Sequence, residues 1–202
     1  PEIIKLIEEK MNSELAEGIL RILPPGMIPK NEMRVFPVKK KDSPNMTVQE
    51  KAINVRLVSD CSRGINESTK FISQEMDSIK DSIAKVAGFT ETGLIGMCDL
   101  SQMFFSFRLD RELWANFCVR HPSVGTCVYT RLPMGWVCSP NCAKEFLTKI
   151  YYPCRKFMTR YVDDIVFGAD SREEFLENLD KILTITRVMN LRLSGKKMHL
   201  LS

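Results

Sequence analysis

The 202-residue sequence reads as a mixed helix-and-strand fold, and three observations carry that reading. Some stretches space apolar residues helically; Ala143, Phe146, Leu147 and Ile150, at i, i+3, i+4 and i+7, predict a helix that buries all four. Others are short runs of β-branched and aromatic residues in pairs, with turn formers between them, as in hairpins. One run, Leu94 to Leu100, is almost continuously apolar, the pattern of a strand covered on both faces.

Taken in order, Ile3, Ile4, Ile7, Met11, Leu15, Ile19 and Leu20 predict one or two amphipathic helices ended by Pro24-Pro25-Gly26. Arg34 to Val38 predicts a strand that the lysines 39–41 extend. Residues 54–60 alternate and predict its hairpin partner, bringing Lys40 near Arg56 on a two-stranded flap. Asp42 to Glu50 reads as a turn or exposed loop. Ser78 with Asp81 predicts a capped helix burying Ile79, Ile83 and Val86 and stopping at Gly88. Phe117 to Arg131 reads as strand, turn, strand. Ser139-Pro140 predicts an N-cap with proline at the first helical position. Ser171 with Glu174 opens a last helix with Phe175, Leu179, Ile182 and Leu183 toward the core. The abrupt end after Gly195-Lys196 suggests a piece of a longer polypeptide.

A chain of this length can bury a real core. Net charge is only +4, so no overall field points to nucleic acid; the basic residues are local, as in Lys39-Lys40-Lys41. Seven cysteines without a Cys-x-x-Cys pair, and only two histidines, argue against zinc and for a reducing, intracellular compartment. No apolar run approaches ~20 residues and no secretory signal is visible, so neither a membrane span nor secretion is expected. The sequons at Asn45 and Asn66 read as chance.

Chemistry concentrates in Arg160-Tyr161-Val162-Asp163-Asp164-Ile165-Val166-Phe167. Apolar β-formers flank two adjacent carboxylates, which predicts a hairpin with both aspartates at its tip. Paired carboxylates in an apolar frame resist joint ionisation, and a divalent cation is the usual remedy. A solvated Asp-Asp turn is the plainer alternative for the string alone. Asp99, ending the buried run, is a further candidate ligand.

With the upstream blocks added, the chain from Phe36 to about Leu200 resembles a reverse transcriptase of the retrovirus and retrotransposon group. The blocks are Phe36-Pro37-Val38-Lys39-Lys40-Lys41, Arg56 to Asp60 with Asn66, Asp99 to Phe105, Leu132-Pro133-Met134-Gly135-Trp136 with Ser139-Pro140, Tyr161-Val162-Asp163-Asp164, and Gly195-Lys196. Ser62-Arg63-Gly64, Cys138 and Asn141-Cys142 depart from the family pattern.

The resemblance implies an α+β fold shaped as part of a right hand. Fingers would be residues 1–70 and 107–138, and the palm, an antiparallel sheet backed by helices, 71–106 and 139–202. It implies DNA synthesis on RNA or DNA templates by transfer from dNTPs to a primer 3′-hydroxyl. Two Mg²⁺ ions, replaceable by Mn²⁺, would be held by Asp99, Asp163, Asp164 and the Leu100 carbonyl. Lys40, Arg56, Phe104, Met134 and Gly135 would meet the nucleotide, with Phe104 screening its sugar, and Trp136, Tyr161 and Val162 the template and primer. Thumb, connection and RNase H domains would lie in a parent polyprotein acting in the cytoplasm or a virus-like particle. Two rival readings are an RNA-dependent RNA polymerase, which a small or polar residue at 104 would have favoured, and a non-catalytic nucleic-acid-binding module, which loss of an aspartate would have signalled.

Overall fold

The computed structural model describes residues 2–41, 47, 54–70, 79–90, 93–195 and 198–201. The elements are α1 (Glu2–Ala16), β1 (Leu20–Ile22), β2 (Glu32–Lys39), β3 (Val55–Asp60), α2 (Ile65–Ser68), α3 (Ile79–Thr90), β4 (Leu94–Asp99), β5 (Cys118–His121), β6 (Gly125–Tyr129), α4 (Ser139–Ile150), β7 (Met158–Tyr161), β8 (Asp164–Ala169), α5 (Arg172–Val188) and β9 (His199–Leu201). Short 3₁₀ turns lie at Met103–Ser106, Arg111–Asn116 and Tyr152–Cys154. Two compact units result, one of residues 1–71 and 107–139, the other of 72–106 and 140–202. Among the described residues, no helix is long and apolar enough to cross a membrane.

The first unit carries a five-stranded sheet in the order β1-β6-β5-β2-β3. β2 and β3 form the expected antiparallel hairpin, while β2 and β5 run parallel. Its core holds Met11, Leu20, Phe117, Val119 and Val128. The amino-terminal pattern resolves differently from the helices expected through residue 23: α1 ends at Ala16, and Leu20 begins a strand paired with Tyr129. Gly18, with φ 69°, turns the chain there. Of the helix's apolar residues only Met11 is fully buried, while Ile3 and Ile4 are exposed. A polar clasp joins α2 and its C-cap to the loop before α4. Asn66 Nδ2 donates to the Gly135 carbonyl at 3.0 Å and its Oδ1 accepts from the Val137 amide at 3.0 Å. Trp136 Nε1 donates to Thr69 Oγ1 at 3.1 Å, and its ring meets Phe117 edge-on.

The second unit carries a fully antiparallel sheet in the order β7-β8-β4-β9. The continuous apolar run is one of its two inner strands, as a doubly covered strand requires. Gly96 lies opposite Phe167, whose ring fills the space a side chain would take and stacks on Phe175 with centroids 5.0 Å apart.

Several helix faces differ from their patterns. In α4, Ala143 and Leu147 are buried, Ile150 is half-buried, and Phe146 is 51% exposed. In α5, Phe175 and Ile182 are buried with Asn178 and Thr186, whereas Leu183 is exposed. The two polar residues earn burial through partners: Asn178 donates to the Gly168 carbonyl at 3.2 Å, and Thr186 Oγ1 pairs with Tyr151 Oη at 2.8 Å. In α3, Ile83 is exposed and Val86 half-buried, and the helix runs past Gly88 to Thr90. Ser78 and most of residues 42–50 lie outside the described residues.

Caps also differ in detail. The Ser139 hydroxyl donates to the Pro133 carbonyl at 2.8 Å, so it fastens the preceding loop. Ser171 accepts from the Glu174 amide as expected, but Glu174 reaches back to the amide of Asp170.

Candidate metal centre

The Asp163-Asp164 stretch folds as the predicted hairpin, with one change. Tyr161 pairs with Asp164, so Asp164 already belongs to β8 and the loop is only Val162 and Asp163. A two-residue loop with positive φ at its first position matches the right-handed twist of the strands, and that position usually takes glycine. Val162 occupies it with φ 55°. A β-branched residue in that region is a genuine outlier, costing on the order of 1–3 kcal/mol.

Three supports hold the turn. The Leu100 amide donates to the Asp163 carbonyl at 2.9 Å. Arg160 Nη1 donates to the Val162 carbonyl at 2.8 Å. The other guanidinium nitrogen reaches the Lys144 carbonyl and Thr148 Oγ1 of α4, both at 3.3 Å.

The sheet register then collects the carboxylates. Asp99 is the last residue of β4 and pairs directly with Asp164 of β8, while Asp163 stands one residue away on the turn. Like charges directly opposite are destabilising in an ordinary sheet. Ligand oxygens of all three lie within 4.8 Å of one another. At that spacing two carboxylates repel by a few kcal/mol at an effective dielectric near ~20. Asp99 is buried, Asp163 half-buried and Asp164 exposed, so the cluster opens to solvent from an anchored base. The Ser194 amide fixes the Asp99 carbonyl at 2.8 Å. The neighbouring Cys98 thiol registers the surroundings: burial first, then Asp99 and Asp164, push its pKa up to about 11. Three oxygen donors of this hardness and spacing fit a divalent cation of the magnesium type.

The other expected residues fall in two groups. In the second unit, Leu100 is buried beside the aspartates and bridges to Leu193. Phe104 sits half-buried in the 3₁₀ turn Met103–Ser106, next to the buried Met103 and after Gln102, whose φ is 53°. Tyr161 is exposed and Val162 half-buried on the hairpin. In the first unit, the Val38–Arg56 pairing and the Lys40 amide bond to the Asn54 carbonyl put the exposed Lys40 and Arg56 diagonally on one face of the flap. Gly135 has φ 111°, and a Cβ there would lie 2.4 Å from the Ser59 carbonyl oxygen. Met134 and Trp136 flank it, with Trp136 bonded inside this unit.

Sequence reasoning gave no role to Arg160, Asn66 or Thr148. The signal for Arg160 was phase: it shares the strand face of the buried Met158, where a cation needs acceptors. Asn66 belonged to one of the blocks of the resemblance but carried no role there; its amide is taken up by the clasp.

An antiparallel sheet that gathers three aspartates where two inner strands end, backed by helices, defines a carboxylate-centred α+β domain. Comparison with known proteins makes this specific. The family model for reverse transcriptase (RNA-dependent DNA polymerase) matches residues 31–202, and the chain belongs to that family. It is similar to the retrovirus-related Pol polyprotein from transposon 412 of Drosophila melanogaster, with 27% identity over 170 residues. That match takes in 79% of this chain and 12% of the polyprotein. Among solved structures, it resembles the foamy viral protease-reverse transcriptase in complex with double-stranded DNA, with TM-score 0.77 and 22% identity over 98% of this chain and 31% of that one. A prototype foamy virus protease-reverse transcriptase mutant gives TM-score 0.75 at 20% identity, over 98% of this chain and 24% of that one. The fold is thus the polymerase α+β fold expected, and the chain spans under a third of each of these proteins.

Proposed function

We propose that this chain is the fingers-and-palm portion of an RNA-directed DNA polymerase. The observation that carries the reading is the convergence of Asp99, Asp163 and Asp164 at the end of the two inner strands of the antiparallel sheet in a member of this family. The first compact unit corresponds to fingers and the second to palm; their limits, 1–71 with 107–139 and 72–106 with 140–202, support that assignment. Asp99, Asp163 and Asp164, with the Leu100 carbonyl, hold two Mg²⁺ ions, or Mn²⁺ in their place. When bound, such a pair stabilises the attacking and leaving oxygens of an in-line phosphoryl transfer. Asp99 serves as the fixed ligand, since its backbone is bonded on both sides of the sheet's end, and Asp164 as the solvent-facing one.

Lys40 and Arg56 take the triphosphate, Arg56 with the fork that suits phosphate. Phe104 stands under the incoming sugar, where a half-buried ring beside packed Met103 excludes a 2′-hydroxyl by overlap. Met134 and Gly135 border the nucleotide, and Trp136, Tyr161 and Val162 the template and primer. Template, primer and dNTPs are the partners, together with thumb, connection and RNase H segments of a parent polyprotein acting inside the cell.

The test is single-nucleotide extension of a primer on an RNA template by the complete enzyme, with matched ribo- and deoxynucleotides. Asp163→Asn keeps shape and removes charge, and is expected to lower activity by at least ~10³-fold, on the order of 4 kcal/mol of barrier. An Asn variant with wild-type rates refutes the assignment; preference for ribonucleotides supports RNA polymerase instead.

A further inference from the structure

We propose that Arg160 is a positioning residue for the carboxylate site, its guanidinium holding the Val162–Asp163 turn in the conformation that delivers Asp163 to Asp99 and Asp164. The inference rests on the reading of those aspartates as a cation site.

The turn has two loop residues and therefore two loop carbonyls, and both are tied. Asp163's carbonyl is held by the Leu100 amide, directly after β4, so that tie comes from the main chain and survives any side-chain change. Val162's carbonyl is held by Arg160, and here the tie is chemical. One guanidinium nitrogen grips the turn while another is seated on α4, at the Lys144 carbonyl and Thr148 Oγ1. Arg160 is 8% exposed, so these contacts are made with little competition from water. The planar fork matters, because it presents donors to the turn and to the helix in fixed relation. A lysine ammonium is a single point that reaches the turn or the helix, and methionine reaches neither.

The turn needs the restraint. Val162 with φ 55° is a conformation that a valine leaves when nothing holds it. Relaxation at Val162 swings the next residue, which is the cation ligand Asp163. Magnesium demands near-ideal octahedral geometry, so a displaced carboxylate is felt as lost affinity. Arg160 thus transmits the position of α4 to the metal centre without touching substrate or ion.

The experiment uses the complete reverse transcriptase that contains this segment. Mn²⁺ binding to the free enzyme is followed by electron paramagnetic resonance, and the Mg²⁺ dependence of single-nucleotide addition is measured beside it. Arg160→Met is expected to raise the Mn²⁺ dissociation constant and the half-saturating Mg²⁺ by ~10–100-fold, the range typical of losing a group that orients a metal ligand. Arg160→Lys should fall between Met and wild type. Adding Val162→Gly to Arg160→Met should restore most of the loss, because glycine adopts positive φ without support. Should Arg160→Met fail to fold, Thr148→Val removes one helix-side anchor and should shift both midpoints a few-fold in the same direction. Unchanged Mn²⁺ binding in Arg160→Met, or in Thr148→Val, with only a lower melting temperature, overturns the proposal: Arg160 then fills the core. Asp163→Asn separates the two readings. If it binds Mn²⁺ and extends normally, the metal-site assignment itself fails. If it is silent while Arg160→Met behaves as wild type, only the positioning role fails.

Discussion

Among the described residues, the β5–β6 and β7–β8 hairpins solve the same geometric problem with opposite chemistry. Between β5 and β6, His121 pairs with Gly125 around a three-residue loop, and the positive φ of 85° falls on the glycine. His121 Nδ1 accepts from the amides of Ser123 and Val124, so the loop's own backbone donors are met from within, while the Ser123 hydroxyl donates to Glu8 of α1. Between β7 and β8 the positive φ falls on Val162, and the loop's carbonyls are held from outside by Arg160 and Leu100. One turn carries the residue its backbone asks for; the other carries strain and leans on its surroundings. The strained turn is the one that presents Asp163, and backbone strain of this kind gathers at functional sites because the surrounding structure over-determines it.

In the second unit the two inner strands that carry Asp99 and Asp164 are tightly packed, and Gly96 of β4, opposite Phe167 of β8, probes that packing. A Cβ there would lie 2.3 Å from the Phe167 ring, which is buried and stacked on Phe175. Gly96→Val is expected to destabilise by about 3 kcal/mol through overpacking. Chemical denaturation of the second unit checks it, and a neutral result means that β4 and β8 can separate without cost.

Next in size is the response to cations. If the three clustered carboxylates take up a divalent ion only in the folded state, as proposed, the ion is worth about 2.7 kcal/mol at a hundredfold excess over the dissociation constant. For a chain of this size that is roughly 5–10 °C in Tm. Millimolar Mg²⁺ should therefore raise the melting temperature, and Asp163→Asn should blunt the rise. A rise of equal size in the Asn variant places the ion elsewhere.

The first unit should answer to pH instead. Glu14 on α1 is half-buried, one of its oxygens is buried with no hydrogen-bond partner, and burial with Glu17 nearby pushes its pKa up to about 7. Between the ordinary carboxylate range and pH 7 the folded chain keeps a proton that the unfolded chain has released, so stability falls as pH rises through that window and levels above it. The loss is about 2 kcal/mol, allowing for the partial exposure of the side chain. Glu14→Gln should flatten melting temperature across pH 4.5 to 7 and leave the Mg²⁺ response intact. A flat wild-type profile shows that Glu14 ionises without penalty.

Much of this was legible in the residues, for reasons that particular elements make plain. Patterns that depend on one strand and its neighbour survived: the apolar run of β4, the β2–β3 hairpin and the aspartates between β-formers all lie where their neighbours dictate. Helix faces were less secure. A helical repeat marks four candidate positions, but the surface it packs against decides which are covered, so Phe146, Ile83 and Leu183 ended exposed while Asn178 and Thr186 went inside. Ile19 and Leu20 continued a helical rhythm and still left the helix, Leu20 to open β1, because Gly18 turns the chain and Tyr129 offers a pairing partner. Arg160's contacts were invisible because Lys144 and Thr148 meet it only in three dimensions.

The smallest prediction returns to the turns and asks for opposite signs from mirror-image changes. Gly125 has open space around the position of a Cβ, so Gly125→Ala introduces no clash and reports the backbone alone. It should destabilise by about 1 kcal/mol, since alanine must adopt positive φ. Val162→Gly removes the same strain where it already exists. Glycine gains freedom in the unfolded chain, which offsets part of the relief, so the net effect should be a stabilisation of about 0.5–1 kcal/mol. Melting or denaturant midpoints of both variants beside wild type settle the matter. If Val162→Gly destabilises as Gly125→Ala does, the positive φ at Val162 carries no strain, and the contrast between a turn relaxed by glycine and a strained, supported one has to be abandoned.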